Sequence, residues 1–389
     1  MKLSRRYLSV FCAFSVFCVH AFGVSAIPAT TADGYTVPQP NPSFTFPRDH
    51  GSHPDYKIEW WYLTGHFFSG GAPTDPAARR FGFQATFFRV ATQPASAASP
   101  ADPVAFGHEQ IHLAHMALLD AASGRFYYQE RLNREGWNAS ASPATLAVRN
   151  GDWTLALTDP AATPGTEILA LTGGIRADAR FAFTLTPTKP LVRFGEGGYS
   201  RKGAAPTAAS YYLTFSRLAL TGTLTLEGTT LPVTGEAWMD HEYSSSQLDK
   251  NQVGWDWLSA QLKDGRELMF YRMRTDDGGT DPASTLTWID RAGKPTRAAF
   301  RWEPLTFWTS PHTGAKYPQR IRLTTTDPES GAEAVFLVEP LHPDQELVGN
   351  LGGVTYWEGA CRLLAPDGTE KGNAYMELTG YDRPVEALR

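Results

Sequence analysis

The sequence predicts an all-β protein made of two related β units in tandem, and three observations carry that expectation. Runs rich in Thr, Val, Leu, Phe, Tyr and Trp recur between clusters of Gly, Pro, Asp and Asn. Examples are Phe81 to Val90, Trp153 to Thr158, Phe181 to Thr186, Tyr211 to Leu218 and Arg320 to Thr326, the pattern of strands punctuated by turns. Stretches with helical period are scarce, and the Ala/Pro/Ser segment from Thr92 to Pro103 reads as an exposed loop. The third observation is an internal echo in the order of motifs, which signals a repeated unit.

The chain has 389 residues, enough for two or three domains that each bury a core. With 42% hydrophobic and 12% aromatic residues, it is neither disordered nor fibrous in composition. Its amino terminus reads as an export signal. Lys2, Arg5 and Arg6 precede an apolar stretch from Tyr7 to Val24, and Val24-Ser25-Ala26 supplies small residues for cleavage. An anchor helix is the competing reading, but the stretch is short for a span and contains His20. We therefore expect residues 1–26 to be a signal peptide and the mature protein to be secreted, into the periplasm, by a route that Ser4-Arg5-Arg6 leaves open between general and twin-arginine export. Cys12 and Cys18 leave with the signal, so Cys361 remains without a partner for a disulfide. The formal charge of −5 becomes −8 without the leader. That argues against a nucleic-acid partner and against a surface for anionic membranes, although peripheral membrane contact stays open.

The echo runs as follows. Asp49-His50 is followed by Glu59-Trp60-Trp61-Tyr62 and then by Phe81 to Arg89. Asp240-His241 is followed by Trp255-Asp256-Trp257 and then by Glu267 to Arg272. Leu118-Leu119-Asp120 with Gly124 is matched in turn by Trp288-Ile289-Asp290 with Gly293. On this basis the chain divides into an N-terminal unit, 27–220, and a C-terminal unit, 221–389, each opening with an Asp-His segment and joined near Thr221 to Leu231. If the units pack face to face, both Asp-His pairs meet at one cleft.

These residues resemble a family. Pro47-Arg48-Asp49-His50-Gly51-Ser52-His53-Pro54, Glu59-Trp60-Trp61-Tyr62 and Gly235-Glu236-Ala237-Trp238-Met239-Asp240-His241-Glu242 look like the AttH-like and carotenoid 1,2-hydratase family, often labelled predicted secreted hydrolases. Tyr243 and Leu213 depart from its pattern, where Trp and Ser are expected. The resemblance covers most of the mature chain. It implies two tandem lipocalin-like (calycin) antiparallel barrels with a hydrophobic cavity, and relatives that differ in chemistry.

Hydration of an olefin needs a neutral acid to protonate the double bond, a cavity that shields the resulting cation, and π faces to stabilise it. The residues for this gather around Asp240. We expect Asp240 as proton donor, its pKa raised by neighbouring tryptophans, and His241 orienting it or the water. Tyr271 and Trp257 are expected to line the cationic centre, with Trp238, Trp255, Trp60, Trp61 and His50 as further ligand-binding residues. Glu59 is the next candidate acid, because it stands directly beside tryptophan; on a strand it shares a face with Trp61, and Trp60 takes the other. The partner expected is a hydrophobic small molecule of isoprenoid or lipid type. A non-catalytic carrier is the rival reading, and the sequence does not give the oligomeric state.

One motif points to a metallohydrolase instead. His108-Glu109-Gln110-Ile111-His112, with His115 beyond, fits H-E-x-x-H. On a helix its two histidines lie about 6 Å apart and can share zinc; on a strand they lie about 13 Å apart and cannot. The segment reads as a strand leading into a hairpin, so no metal is expected. No G-x-S-x-G elbow, phosphate-binding glycine loop or Cys-x-x-Cys pair occurs, and no cofactor is expected.

Overall fold

A computed structural model describes residues 26–71, 75, 77–94, 110–351 and 354–385. Most of the expected leader and two members of the zinc motif, His108 and Glu109, lie outside the described residues. Among those described, the only helix is a 3-10 turn at Arg48–His50, and none could cross a membrane.

The first sheet begins with a meander of β1 (Ile58–Ser69), β2 (Arg79–Ala91), β3 (Gln110–Asp120) and β4 (Arg125–Arg134). It continues through β5 (Ala139–Ala141), β6 (Ala147–Asn150), β7 (Trp153–Leu157), β8 (Leu169–Ile175) and β9 (Ala179–Pro187). Two short strands, β10 (Val192–Arg193) and β11 (Tyr199–Arg201), precede the long hairpin β12 (Ala209–Leu226) and β13 (Thr229–Ser246). The second sheet holds β14 (Gln252–Leu262), β15 (Glu267–Thr275), β16 (Thr285–Ile289), β17 (Pro295–Ala298) and β18 (Phe300–Pro304), then β21 (Ile321–Thr326), β22 (Glu333–Pro340), β23 (Glu346–Leu347), β24 (Tyr356–Leu364) and β25 (Glu370–Thr379). A separate small hairpin is formed by β19 (Phe307–Thr309) and β20 (Lys316–Pro318).

Each sheet curls into a nearly closed antiparallel barrel, and the two share one order. The first runs β4-β3-β2-β1-β13-β12-β9-β8-β7 and continues into β6-β5; the second runs β17-β16-β15-β14-β25-β24-β22-β21-β18. The sequence echo from β1 to β3 and from β14 to β16 therefore marks equivalent strands. The Asp-His part of it does not. Asp49-His50 sits in the 3-10 turn before β1, whereas Asp240-His241 lies within β13, the strand that closes the first barrel.

The expected junction at 221–231 falls inside the β12–β13 hairpin. Glu227 and Gly228 both have positive φ (49° and 84°) and join Leu226 to Thr229, the two-residue turn that suits the twist of antiparallel strands. A Thr- and Gly-rich segment reads equally as linker or turn; here it is a turn. The chain leaves the first sheet between Ser246 and Gln252.

Both barrel interiors are packed. Trp61, Leu63, Phe67, Phe81, Phe83 and Phe183 fill the first, and Leu258, Phe270, Trp288, Tyr317, Leu323 and Trp357 fill the second. Because side chains alternate along a strand, the other face of β1 points outward, and it meets the second barrel. His66 Nε2 donates to the Ala374 carbonyl at 2.8 Å, Arg80 to Asn373 at 2.7 Å, and Gln261 Nε2 to the carbonyls of Ser216 and Ala237 at 2.9 Å. At Gly82 an added Cβ would fall 2.3 Å from Ala360 Cβ, so only glycine permits this approach of the two barrels.

Candidate active site between the barrels

The register of β1 against β13 sorts the candidate residues into two groups. Trp60 pairs with Glu242, Tyr62 with Asp240 and Thr64 with Trp238, all on the outer face; Glu59 pairs with Tyr243 and Trp61 with His241, on the inner face. Asp240 and His241 thus part company at the backbone. The expectation that His241 orients Asp240 is corrected by strand alternation.

The outer group opens onto an apolar cavity of about 220 Å³ between the barrels. Its walls include Trp60, Tyr62, Phe88, Trp255, Trp257 and Tyr271. The resemblance implied a hydrophobic cavity without placing it; this cavity lies outside both barrels, where two outward faces meet. Asp240 stands in its wall and is 2% exposed. Its Oδ1 accepts from Thr214 Oγ1 (2.6 Å) and Trp238 Nε1 (2.8 Å), and its Oδ2 accepts from the Tyr212 hydroxyl (2.7 Å). All three donors are neutral. Burial therefore outweighs them and pushes the carboxyl up to about 7. Tyr212 in turn accepts from Trp257 Nε1 at 3.0 Å, which ties Asp240 to the second barrel. Tyr271 lines the cavity beside Lys202, its hydroxyl 3.2 Å from Ser200 Oγ and the Arg201 carbonyl.

Sequence reasoning missed three partners. Lys202 Nζ pairs with Glu242 at 3.0 Å and lies over the rings of Tyr212 and Tyr271. The second barrel contributes Glu358, whose Oε2 accepts from Tyr62 at 2.9 Å, and Glu377, whose Oε1 accepts from Trp255 Nε1 (2.9 Å) and Thr379 Oγ1 (2.7 Å). Burial raises both carboxyls. Glu377 reaches about 7, with Asp240 and Glu242 adding to the rise, and Glu358 goes well above the usual range, with the charge of Glu377 as the second cause. Their signal was an acid inside a strand with apolar neighbours on either side, as in Tyr356-Trp357-Glu358-Gly359 and Tyr375-Met376-Glu377-Leu378.

The inner group forms a different site. Glu59 is fully buried; Oε1 accepts from His53 Nδ1 and His241 Nε2, both at 2.8 Å, and Oε2 accepts from Arg89 Nε at 2.9 Å and the His53 amide at 2.8 Å. Burial alone would raise its pKa, but the bonds from His241 and His53 and the Arg89 charge hold it well below the carboxylate range. Glu59 is a fixed anion, so its reading as reserve acid is corrected. Tyr243 stacks on His53 with ring centroids 3.7 Å apart, and Trp61 stacks on His241 at 4.9 Å. His50 packs between Phe46 and Phe215, and burial lowers it to about 3. His50 and Trp61 belong to the first barrel's interior and not to the ligand cavity.

His53, Glu59 and His241 are also the residues that could hold a metal, their donor atoms lying within 4.8 Å of one another. Arg89 already occupies the same carboxylate, and the two imidazoles saturate its other oxygen, so the charge of Glu59 is matched within the chain. His112 and His115 both lie on β3, three residues apart. Their register partners, Arg89 and Thr86, place them on opposite faces, with His112 beside Arg89 and His115 bonded to the Tyr356 hydroxyl. Those two histidines cannot share one ion.

The described fold is similar to known proteins over nearly its whole length. A crystal structure of an AttH from Nitrosomonas europaea is 34% identical, with TM-score 0.75, covering 88% of this chain and 98% of that one. Kievitone hydratase from Nectria haematococca has the same fold at 14% identity, TM-score 0.63, covering 92% of this chain and 96% of that one. Among curated proteins nothing matches. The AttH-like family model matches residues 37–381, which takes in both barrels and every residue of the cavity named above; this chain belongs to the AttH-like family.

Proposed function

We propose that the protein is a hydratase-type enzyme that adds water to, or removes it from, a carbon–carbon double bond of an apolar molecule of isoprenoid or lipid type bound between the barrels. The observation that carries this reading is Asp240: a carboxyl buried in an apolar cavity, held only by neutral donors, and titrating at about 7. Such a group is a proton donor at neutral pH. Asp240 and Tyr212, which donates to its Oδ2, both stand on the cavity wall, and the indoles of Trp60, Trp255 and Trp257 line the space where a cation would form. The fold shared with a protein named kievitone hydratase supports the same class of chemistry. Export to the periplasm belongs to this reading, as the place where the substrate is met.

The rival is a carrier, which needs the cavity and no acid. Wild type and Asp240→Asn are incubated in ¹⁸O-labelled water with an apolar extract of the cells that make the protein, and bound molecules are identified by mass spectrometry. We expect both proteins to retain the same compound, with one ¹⁸O incorporated by wild type only. A compound held and released unlabelled by wild type overturns hydration in favour of carriage.

A further inference from the structure

Asp240 supplies one proton, but hydration also creates a cation and then a protonated alcohol, and both must be answered from the cavity wall. The second barrel presents two carboxyls there. Glu358 and Glu377 are direct cross-strand neighbours on β24 and β25, and they line the cavity together with Trp255 and Trp257. Side chains so paired have Cβ atoms about 5 Å apart, and two buried carboxyls at that separation hold one proton between them. Above about pH 7, where Glu377 gives up its proton and burial still holds that of Glu358, the pair carries a single negative charge.

Among the described residues, no cation pairs with Glu358 or Glu377. The partners of Glu358 and Glu377 are a phenol, an indole and a hydroxyl. The two lysines in the cavity's walls are committed elsewhere, Lys202 to Glu242 and Lys57 to Asp33. Both donors to Glu377 use Oε1, and Glu377, unlike Glu358, keeps part of its surface open to the cavity. By contrast, both oxygens of Asp240 are occupied from the first barrel. Trp257 is the register partner of Glu377 and also donates to Tyr212, so its indole stands between the acid on one barrel and the carboxyl pair on the other.

We propose that the cleft takes an apolar organic molecule that carries a positive charge or acquires one during reaction, and that the Glu358–Glu377 pair is the counter-ion of that charge and the base for the attacking water. The inference rests on the hydration reading. In that reaction the Asp240 proton forms a new C–H bond as the π bond breaks, leaving a carbocation and the Asp240 carboxylate. Water oxygen bonds to the cationic carbon, and one of its protons passes to Glu377 Oε2. The product is the alcohol; Glu377 then loses its proton to solvent and Asp240 regains one. Dehydration is the same sequence reversed.

The test uses binding, so it does not depend on turnover. Dodecyldimethylamine, protonated at pH 8, and 2-tetradecanone, neutral and of similar length, are titrated calorimetrically into the protein below the micellar range of the amine. We expect wild type to prefer the amine by at least about tenfold, a factor that corresponds to about 1.4 kcal/mol. Glu377→Gln should reduce the preference below about threefold while leaving the ketone affinity unchanged, and Glu358→Gln serves if that variant does not fold. Asp240, raised only to about 7, is also ionised at pH 8, so Asp240→Asn should lower the preference, but less than Glu377→Gln does. Equal affinities in wild type overturn the proposal, as does a preference lost in Asp240→Asn but kept in Glu377→Gln. The two readings separate cleanly. Intact ¹⁸O incorporation without amine preference removes the counter-ion alone, and amine preference without incorporation leaves a binding site for organic cations and removes the hydratase.

Discussion

Asp240→Asn tests the acid without any substrate, through stability. The native carboxyl titrates at about 7, whereas in the unfolded chain it has the ordinary value of 3.8. Between those values the folded state holds a proton that the unfolded state has shed. Asp240 therefore stabilises the fold at low pH, and this contribution is lost as pH rises through the folded value. From pH 5 to pH 8 the loss is about 2–3 kcal/mol, at 1.36 kcal/mol for each unit of pKa difference in play. Asparagine removes the titration. Its oxygen can still accept from Thr214 and Trp238, and its amide can donate to Tyr212, whose hydroxyl then turns away from it. That exchange costs about 0.5–1.5 kcal/mol at every pH. The variant should thus gain on wild type by about 2–3 kcal/mol between pH 5 and pH 8 and be the more stable of the two at pH 8. Urea unfolding of both proteins at pH 5, 6, 7 and 8, followed by circular dichroism, gives the two profiles. Parallel profiles across this range would show that Asp240 is ionised throughout, and the proton-donor assignment would fall with it.

Three other outcomes are expected. Glu59→Gln should destabilise the protein by about 3–5 kcal/mol, because it strands Arg89 and the His53 imidazole inside the first barrel; an unfolding free energy within 0.5 kcal/mol of wild type, a difference about the size of surface effects, would show that the charge network is not needed. His112→Ala should leave the metal content of the purified protein unchanged as measured by mass spectrometry, and stoichiometric zinc lost on that change would restore the metallohydrolase reading. Gly82→Ala drives a methyl group into Ala360 across the barrel interface and should cost about 1–3 kcal/mol; an unaltered melting temperature would mean that the barrels separate there at no cost.

The all-β class was legible because strands buried on both faces become unbroken apolar runs, as in Trp60 to Phe68, where even residues meet the other barrel and odd ones fill their own. The repeat was legible where it lies on equivalent strands and misleading where it does not. Asp240-His241 resembles Asp49-His50 in letters, but one pair is a strand and the other a turn. Asp240 was found from the tryptophans that flank it. Its separation from His241 follows from the same alternation that divides Glu59 from Trp60, yet which face meets the cavity depends on how the barrels pack, and no local pattern carries that. Glu358 and Glu377 come from the far end of the chain and join Asp240 only through that packing.

The two carboxylate groupings in this protein show why partner type, more than burial, separates a brace from a reactive group. Glu59, Asp240 and Glu358 are all nearly inaccessible. Glu59 is met by Arg89 and two imidazoles, so its charge is favoured and its proton is gone. In the cleft the protein answers carboxyls with indole, phenol and hydroxyl groups, which fix orientation but cannot offset the loss of solvent, so the proton stays within reach of neutral pH. Glu242 marks the boundary between the two cases: it lies in the same cleft but is given Lys202 and Gln247 as partners, and so forms an ion pair there. Placing a lysine within reach of Asp240, for example by Thr214→Lys, would convert the proposed proton donor into a second structural ion pair, and its carboxyl should then titrate well below neutral pH.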